Sequence, residues 1–292
     1  MKDKVEFDLW GNQIVEDVLL RDKFIEPPFS ILDTKSGSWQ NRKRQWKDIG
    51  IKSEVGRDVK VNANLKPFKG NRERFTDKQV SIFDPALCEV LYHWFCPDNG
   101  RILDPFCGGS VRGIVANYLG YKYTGIDIRQ TQIDSNREQS LDILDLNNQP
   151  NYYVGDARKV LNDDFVNDFD FVFSCPPYAD LEIYSDLQGD ISNMDYDTFL
   201  TAYQSIINKS CQKLKSGCFA CFVVGEVRDK KGNYIGFVPD TIRAFKKAGL
   251  HFYNECILLN QLGNAAMRAS CLFKKRQKVV KIHQNVLIFK KD

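Results

Sequence analysis

The stretch Arg101-Ile-Leu-Asp-Pro-Phe-Cys-Gly-Gly-Ser110 decides how the rest of the chain is read. Its first four residues form a short apolar run of buried-strand length, and Asp104-Pro105 closes it. Ser110 to Leu119 then has helical apolar spacing, with Gly120 as its stop. A strand, a turn rich in glycine and a helix follow one another. Gly108 and Gly109 let the backbone turn tightly and come close to a ligand. The free amide groups at the start of the helix suit an anionic group such as a carboxylate.

Outward from this point the chain alternates. Asp84 is a good N-cap and Pro85 a good first helical residue, which predicts a helix from Pro85 to Phe95. Strands are expected at Tyr123 to Asp127, Tyr152 to Val154, Phe169 to Ser174 and Phe219 to Val224. Helices are expected from Asp195 to Leu214 and from Val238 to Ala248, and late strands at Phe252 to Leu259 and Val286 to Phe289. Such alternation predicts an α/β fold, Rossmann-like, with a mostly parallel sheet and helices on both faces. Ligands then bind outside the carboxyl ends of the strands. Asp127 ends the second strand, 23 residues after Asp104, where a carboxylate can take both hydroxyls of a ribose. Ile128 follows it. Asp156 and Ala157 follow the third strand, and the Asp156 carboxylate is placed to reach an adenine amine. Three strand-end sites in this order point to a bound nucleoside.

A second site is Ser174-Cys-Pro-Pro-Tyr178, straight after an apolar strand. Pro176 and Pro177 stiffen the loop and fix where the carbonyls before them point. Such a loop suits an aromatic amine, whose lone pair is delocalised into its ring and whose nucleophilicity is therefore poor. Acceptors around the amine hydrogens, from the Cys175–Pro176 backbone and a neighbouring side chain, would hold it nearer to tetrahedral, with Tyr178 stacked on the ring. Catalysis of that kind is positioning and electrostatics and asks for no metal.

Composition is that of a globular chain. It has 292 residues, a net charge of +3 and 43% hydrophobic residues. No apolar run spans a membrane or resembles a signal peptide, so a cytoplasmic location is expected. Of the nine cysteines, Cys88, Cys211, Cys221 and Cys256 fall in apolar segments, and buried free thiols are the natural reading. Cys218 and Cys221, three apart on a strand, point to opposite faces and make a poor zinc pair. The charge is unevenly spread. Arg42 to Lys78 holds twelve Lys/Arg against five Asp/Glu, and Cys256 to Lys291 holds eight Lys/Arg and no acid. A polyanion between two basic ends fits this distribution.

Asp104-Pro-Phe-Cys-Gly-Gly-Ser110 followed by Cys175-Pro-Pro-Tyr178 resembles the amino-methyltransferases that act on adenine or cytosine in DNA. The resemblance implies a class I methyltransferase fold. It assigns Asp104, Pro105, Phe106, Cys107, Gly108, Gly109 and Ser110, with Asp127, Ile128, Asp156 and Ala157, to S-adenosyl-L-methionine. It assigns Ser174, Cys175, Pro176, Pro177 and Tyr178 to the target amine. Phe83-Asp-Pro-Ala-Leu87 looks like that family's cofactor-flanking motif, which adds Asp84 and Pro85. His283-Gln-Asn-Val-Leu-Ile-Phe-Lys290 looks like its closing strand, and His283 is expected near the mouth of the site. Trp39-Gln-Asn-Arg-Lys-Arg44, Gly50 to Gly56, Tyr178 to Tyr184 and Val227 to Gly232 are similar to DNA methylases encoded by bacteriophages and prophages.

Two departures stand out. Cys175 takes the place of the family's acidic or amide residue, and a thiol is a weak acceptor. Ser110 takes the third small position of the glycine motif.

The expected organisation is a basic, irregular extension over residues 1–80 and a methyltransferase domain over residues 81–292. DNA is the expected partner and adenine the favoured base. Cytosine, an RNA or protein-glutamine amine, and a non-catalytic nucleic-acid-binding module are the alternatives. Backbone contact is expected from Arg42, Lys43, Arg44, Lys47, Arg72 and Arg74, and from Lys274, Lys275 and Arg276. Trp39 is expected to stack or wedge, and Trp46 with it. The assembly is open between a monomer and a homodimer.

Overall fold

The structure is a computed structural model that describes residues 25–52, 83–178, 185, 187, 189–229, 231–260 and 265–292. Arg72, Arg74, the Gly50 to Gly56 stretch beyond Lys52, and the residues from Ala179 to Tyr184 lie outside them. The strands are β1 (Ile31–Asp33), β2 (Arg101–Asp104), β3 (Lys122–Asp127), β4 (Asn151–Val154), β5 (Phe169–Ser174), β6 (Leu214–Val224), β7 (Leu250–Leu259) and β8 (His283–Lys291). The helices are α1 (Gly37–Asp48), α2 (Pro85–Phe95), α3 (Val111–Tyr118), α4 (Gln130–Ile143), α5 (Ala157–Val160), α6 (Tyr196–Lys213), α7 (Phe237–Lys247) and α8 (Ala265–Arg276). None of the described helices is long and apolar enough to cross a membrane.

One eight-stranded sheet runs in the order β1-β7-β8-β6-β5-β2-β3-β4. All its pairings are parallel except those of β8, which lies antiparallel between β6 and β7. The chain lays β3 and β4 to one side of β2 and β5 and β6 to the other. The crevice outside the carboxyl ends of β2 and β5 is therefore the switch point of a Rossmann-like sheet. Because β8 runs the other way, its first residues arrive at that same end: His283 is paired with Leu259, and Asn285 with Val224.

The period-two alternation of buried strands sorts their residues onto two faces. Phe171 and Phe173 of β5 join Ile102, Cys221 and Val286 under α2 and α3. Val172 joins Leu103, Ala220 and Phe222 under α6 and α7. Cys218 packs with this second face and Cys221 with the first. Residues of β2, β5 and β6 are buried on both sides, which is why they read as continuous apolar runs.

Residues 31–48 are more ordered than their basic composition suggests. β1 pairs in parallel with the end of β7. Ser36 caps α1 by accepting from the Trp39 amide at 3.3 Å. Trp39 and Trp46 are seven apart and so share one helix face. They are 1% and 3% exposed. The Trp39 indole donates to Asp84 at 3.2 Å and the Trp46 indole to Glu89 at 2.7 Å. Both rings are thus core and hydrogen-bonded, and neither presents a face to a nucleic acid. Arg42 pairs with Glu89 at 2.7 Å and Lys43 with Asp84 at 2.8 Å, which docks α1 on α2. Arg44 and Lys47 remain on the exposed side of α1.

Truncating either ring removes a large buried side chain and leaves a buried carboxylate short of a donor. Trp39→Ala and Trp46→Ala are each expected to cost about 3–5 kcal/mol in urea-unfolding experiments. A loss below 1 kcal/mol would mean that α1 does not fold with the sheet.

Candidate active site

The glycine turn is built around Asp104, which is completely buried at the end of β2. One of its oxygens accepts from the Phe106 amide at 3.1 Å and from the Ser174 hydroxyl at 2.5 Å. The other accepts from Arg112 Nε at 2.5 Å and from the Tyr123 hydroxyl at 2.7 Å. Arg112 also donates to the carbonyls of Phe106 and Cys107, at 2.7 and 2.9 Å. Its guanidinium lies 4.6 Å from the centre of the Phe83 ring. Burial works against the Arg112 charge, but the Asp104 carboxylate outweighs it and holds the guanidinium more firmly protonated than usual. Asp104 therefore acts through the residues that it fixes and shows no surface of its own.

The turn itself leans on β3. Cys107 donates to the Ile126 carbonyl at 2.9 Å, and the Gly108 amide to the Asp127 carboxylate at 3.1 Å. Asn136 of α4 holds the Gly108 carbonyl at 2.7 Å. Gly108 has φ +48°, and a Cβ added there would meet nothing within 4 Å. The space beside Gly108 is therefore open. At Gly125 of β3 the reason for glycine is contact instead, because a Cβ there would press into the Tyr123 ring and Cys107. Pro105, Cys107 and Ser110 are buried, and Phe106 packs against Tyr203 and Phe222 on the second face. Burial pushes the Cys107 thiol well above its usual range, which leaves it unreactive.

Asp127 lies 12% exposed at the rim of this space. Burial pushes its carboxyl up, opposed by Arg129 at 3.5 Å and by the amides of Arg129 and Gly108. Asp156 caps α5 and is gripped by Arg158, whose Nη2 lies at 2.6 Å. Burial pushes the Asp156 carboxyl up, but the Arg158 hydrogen bonds together outweigh that and leave it below the ordinary range. Both Asp156 oxygens are engaged: Oδ1 accepts from the Arg158 amide and Nε, and Oδ2 from Nε and Nη2. Ile128 lies close to this pair, across Gly189. Asp84 and Pro85 begin α2 on the far side of Phe83, and the Asp84 carboxylate serves Ala86, Trp39 and Lys43.

The Cys-Pro-Pro-Tyr loop leaves β5 beside the glycine turn. Ser174 is completely buried and spends its hydroxyl on Asp104. Cys175 packs against the first face, Pro176 is buried, and Pro177 is half-buried. Tyr178 packs edge-on against Phe237, with ring centroids 5.8 Å apart, and its hydroxyl accepts from Gln284 Nε2 at 2.8 Å. Gln284 in turn accepts from Asn260 Nδ2. Glu226, two residues after β6, accepts from the Val238 amide at 3.0 Å through Oε1, while its buried Oε2 has no donor among the described residues. His283 opens β8 beside Gln284. Burial and Lys281 lower its pKa, against Glu255.

The motif residues of both loops thus meet at one end of the sheet, whereas Gln284 was read only as part of a closing strand, and Asn260 and Glu226 carried no signal of their own. Their pairing is visible only once β8 is known to be antiparallel. Lys274, Lys275 and Arg276 are exposed on α8, inside the insertion that joins β7 to β8 at this end.

No protein-family profile matches the chain, and no curated protein matches it. Solved structures resemble it in fold. TrmN from Thermus thermophilus does so at 14% identity and a TM-score of 0.47 over 71% of this chain, which spans about half (49%) of TrmN. The magnesium protoporphyrin IX methyltransferase ChlM from Synechocystis PCC 6803, solved with S-adenosylmethionine bound, does so at 11% identity and 0.44, over 71% of this chain and 79% of that one. The cyclase SpnF does so at 16% and 0.49, over 74% and 85%. A fold hosts many chemistries, and the chemistry is argued from the site.

Arg112→Ala leaves Asp104 as an uncompensated buried charge and is expected to cost about 3–5 kcal/mol in denaturant titrations. Stability within 1 kcal/mol of the unaltered chain would show that the pair does not organise the turn.

Proposed function

We propose that this chain is an S-adenosylmethionine-dependent methyltransferase acting on the exocyclic amine of a base in DNA, adenine before cytosine. The observation that carries the reading is the Ser174–Asp104 hydrogen bond at 2.5 Å. It fixes a glycine turn with open space above it against a Cys-Pro-Pro-Tyr loop, at the switch point of the sheet. One loop suits a nucleoside with an anionic tail, and the adjacent loop suits an aromatic amine.

In this reading Asp127 takes the ribose hydroxyls, and the glycine turn faces the amino-acid end of the cofactor. Ile128 offers apolar surface to the adenine, and Asp156, held in place by Arg158, is proposed to face the adenine amine. S-adenosylmethionine, when bound, supplies a methyl group on a positively charged sulfur. The chain's own part is to hold the acceptor amine. The Pro176-Pro177 pair fixes the carbonyl before it as an acceptor for an amine hydrogen, and Tyr178 supports the base. A base within a duplex hides its amine, so the target is flipped out or unpaired before it enters. Exposed Arg44 and Lys47 of α1 and Lys274, Lys275 and Arg276 of α8 are the cations proposed to meet the phosphates. DNA, rather than RNA, is supported by the likeness of the paired motifs to DNA amino-methyltransferases.

The direct test is transfer of labelled methyl from S-adenosylmethionine to matched unmodified DNA, RNA and protein, followed by nucleoside analysis. Methylated deoxyadenosine supports the reading in full. Methylated deoxycytidine keeps the class and changes the base. Label in RNA or protein alone overturns DNA as the substrate. Tyr178→Ala is expected to lower kcat/KM by roughly 5- to 150-fold, the range that base stacking on an aromatic ring accounts for.

The pH dependence of cofactor binding follows from Asp127. Its ionised form accepts the ribose hydroxyls, and burial raises its pKa. Affinity is therefore highest above that raised value and falls as pH drops through it, earlier than an ordinary aspartate would allow. Arg129→Ala removes the charge that opposes burial and should move the fall to higher pH in calorimetric titrations. A pH profile that Arg129→Ala leaves in place would remove Asp127 from the cofactor site.

A further inference from the structure

We propose that Gln284 is a positioning residue for Tyr178, itself oriented by Asn260, so that the stem of the β7–β8 insertion sets the pose of the ring that supports the target base. This inference rests on the methyl-transfer reading and names a residue that neither of the two loop motifs contains.

The geometry is direct. Tyr178 follows two prolines, which stiffen the backbone before it but leave its side-chain torsions free. Its ring meets Phe237 edge-on, a contact that tolerates rotation and sliding. The hydroxyl needs a fixed partner if the ring is to present one face reproducibly. Gln284 Nε2 supplies it at 2.8 Å, across 106 residues of sequence. The glutamine is not loose either. Its Oε1 accepts from Asn260 Nδ2, and its Cγ lies beside the backbone of Gly225 at the end of β6, where the Tyr178 hydroxyl also passes. Asn260 directly follows β7, and its backbone amide is tied to the Ile282 carbonyl at 2.7 Å, which closes the stem just before β8 begins. The chain from Asn260 to Gln284 thus starts and finishes within hydrogen-bond reach of itself, and its last residue also reaches Tyr178. Between these two residues the chain carries α8 with its exposed Lys274, Lys275 and Arg276. One insertion therefore holds both a basic helix and the tyrosine clamp.

A clamp of this kind acts on the productive pose of a bound base, not on cofactor or phosphate affinity. Gln284→Leu is expected to lower kcat about 2- to 12-fold, the loss of one hydrogen bond, with the Kd for S-adenosylmethionine and the KM for DNA held within twofold. Gln284→Glu accepts from both Asn260 and the Tyr178 hydroxyl and should retain most of kcat. In a Tyr178→Phe background, Gln284→Leu and Asn260→Ala should cost nothing further, because the group through which they act is gone.

The outcome that overturns the inference is wild-type kcat in Gln284→Leu, or a loss just as large in the Tyr178→Phe background. Should Gln284→Leu fail to fold, Asn260→Ala alone and combined with Tyr178→Phe decides in the same way. If the unaltered chain methylates no nucleic acid, the functional reading fails. If it does so while Gln284→Leu keeps wild-type kcat, only the clamp fails.

Discussion

The Asp104 carboxylate is the constraint on which the site depends. A buried charge is tolerable only when paired and hydrogen-bonded, and the four donors that satisfy Asp104 come from four different places. Phe106 belongs to the glycine turn, Arg112 to α3, Tyr123 to β3 and Ser174 to the end of β5. None of these can move without leaving the charge exposed to an apolar surrounding. Satisfying one side chain thus fixes the turn, the helix after it and the loop that follows β5 in a common frame. Arg112 extends the frame through the Phe106 and Cys107 carbonyls, and through Phe83 to the start of α2.

The sheet adds a second constraint. Parallel strands deliver Asp104, Asp127, Val154 and Ser174 to one end because they all run the same way. An antiparallel β8 delivers its beginning, not its end, to that place. Gln284 can therefore meet Tyr178, although it opens a strand while the residues of both motifs close strands. Had β8 been parallel, its first residues would lie at the opposite end of the sheet from the amine loop.

Much of this was legible in the sequence. Pro85 to Phe95, Arg101 to Asp104 and Phe169 to Ser174 are found with the bounds that caps and apolar runs predict. Periodicity and local turn chemistry carry that information, and both are properties of short windows. β1, α1 and α8 were not legible. β1 has three residues and owes its strand state to β7. In α1 the seven-residue spacing of Trp39 and Trp46 lies among basic residues, which reads as a nucleic-acid face. Only Asp84 and Glu89, more than forty positions away, show that these indoles and two of the neighbouring cations are spent inside the protein. The Gln284–Tyr178 contact is of the same type, since a pairing across 106 residues leaves no local trace.

The charges of the site follow from the same accounting. Four acids at strand ends or helix starts have a base of their own: Lys43 for Asp84, Arg112 for Asp104, Arg129 for Asp127, Arg158 for Asp156. Three of these bases follow their acids within eight residues, so the compensation is built into each strand-to-helix connection. A rim balanced in this way exerts little long-range pull on a polyanion, because opposite charges in close pairs cancel beyond a Debye length of about 8 Å. In the proposed reading, attraction for a nucleic acid comes from cations that the site does not consume, and among the described residues Arg44, Lys47, Lys274, Lys275 and Arg276 are exposed cations of that kind. The uneven charge of the sequence survives folding as a division of labour. Paired bases hold the acids near the strand ends, while Arg44 and Lys47 on α1 and Lys274, Lys275 and Arg276 on α8 are left exposed for the proposed polyanion.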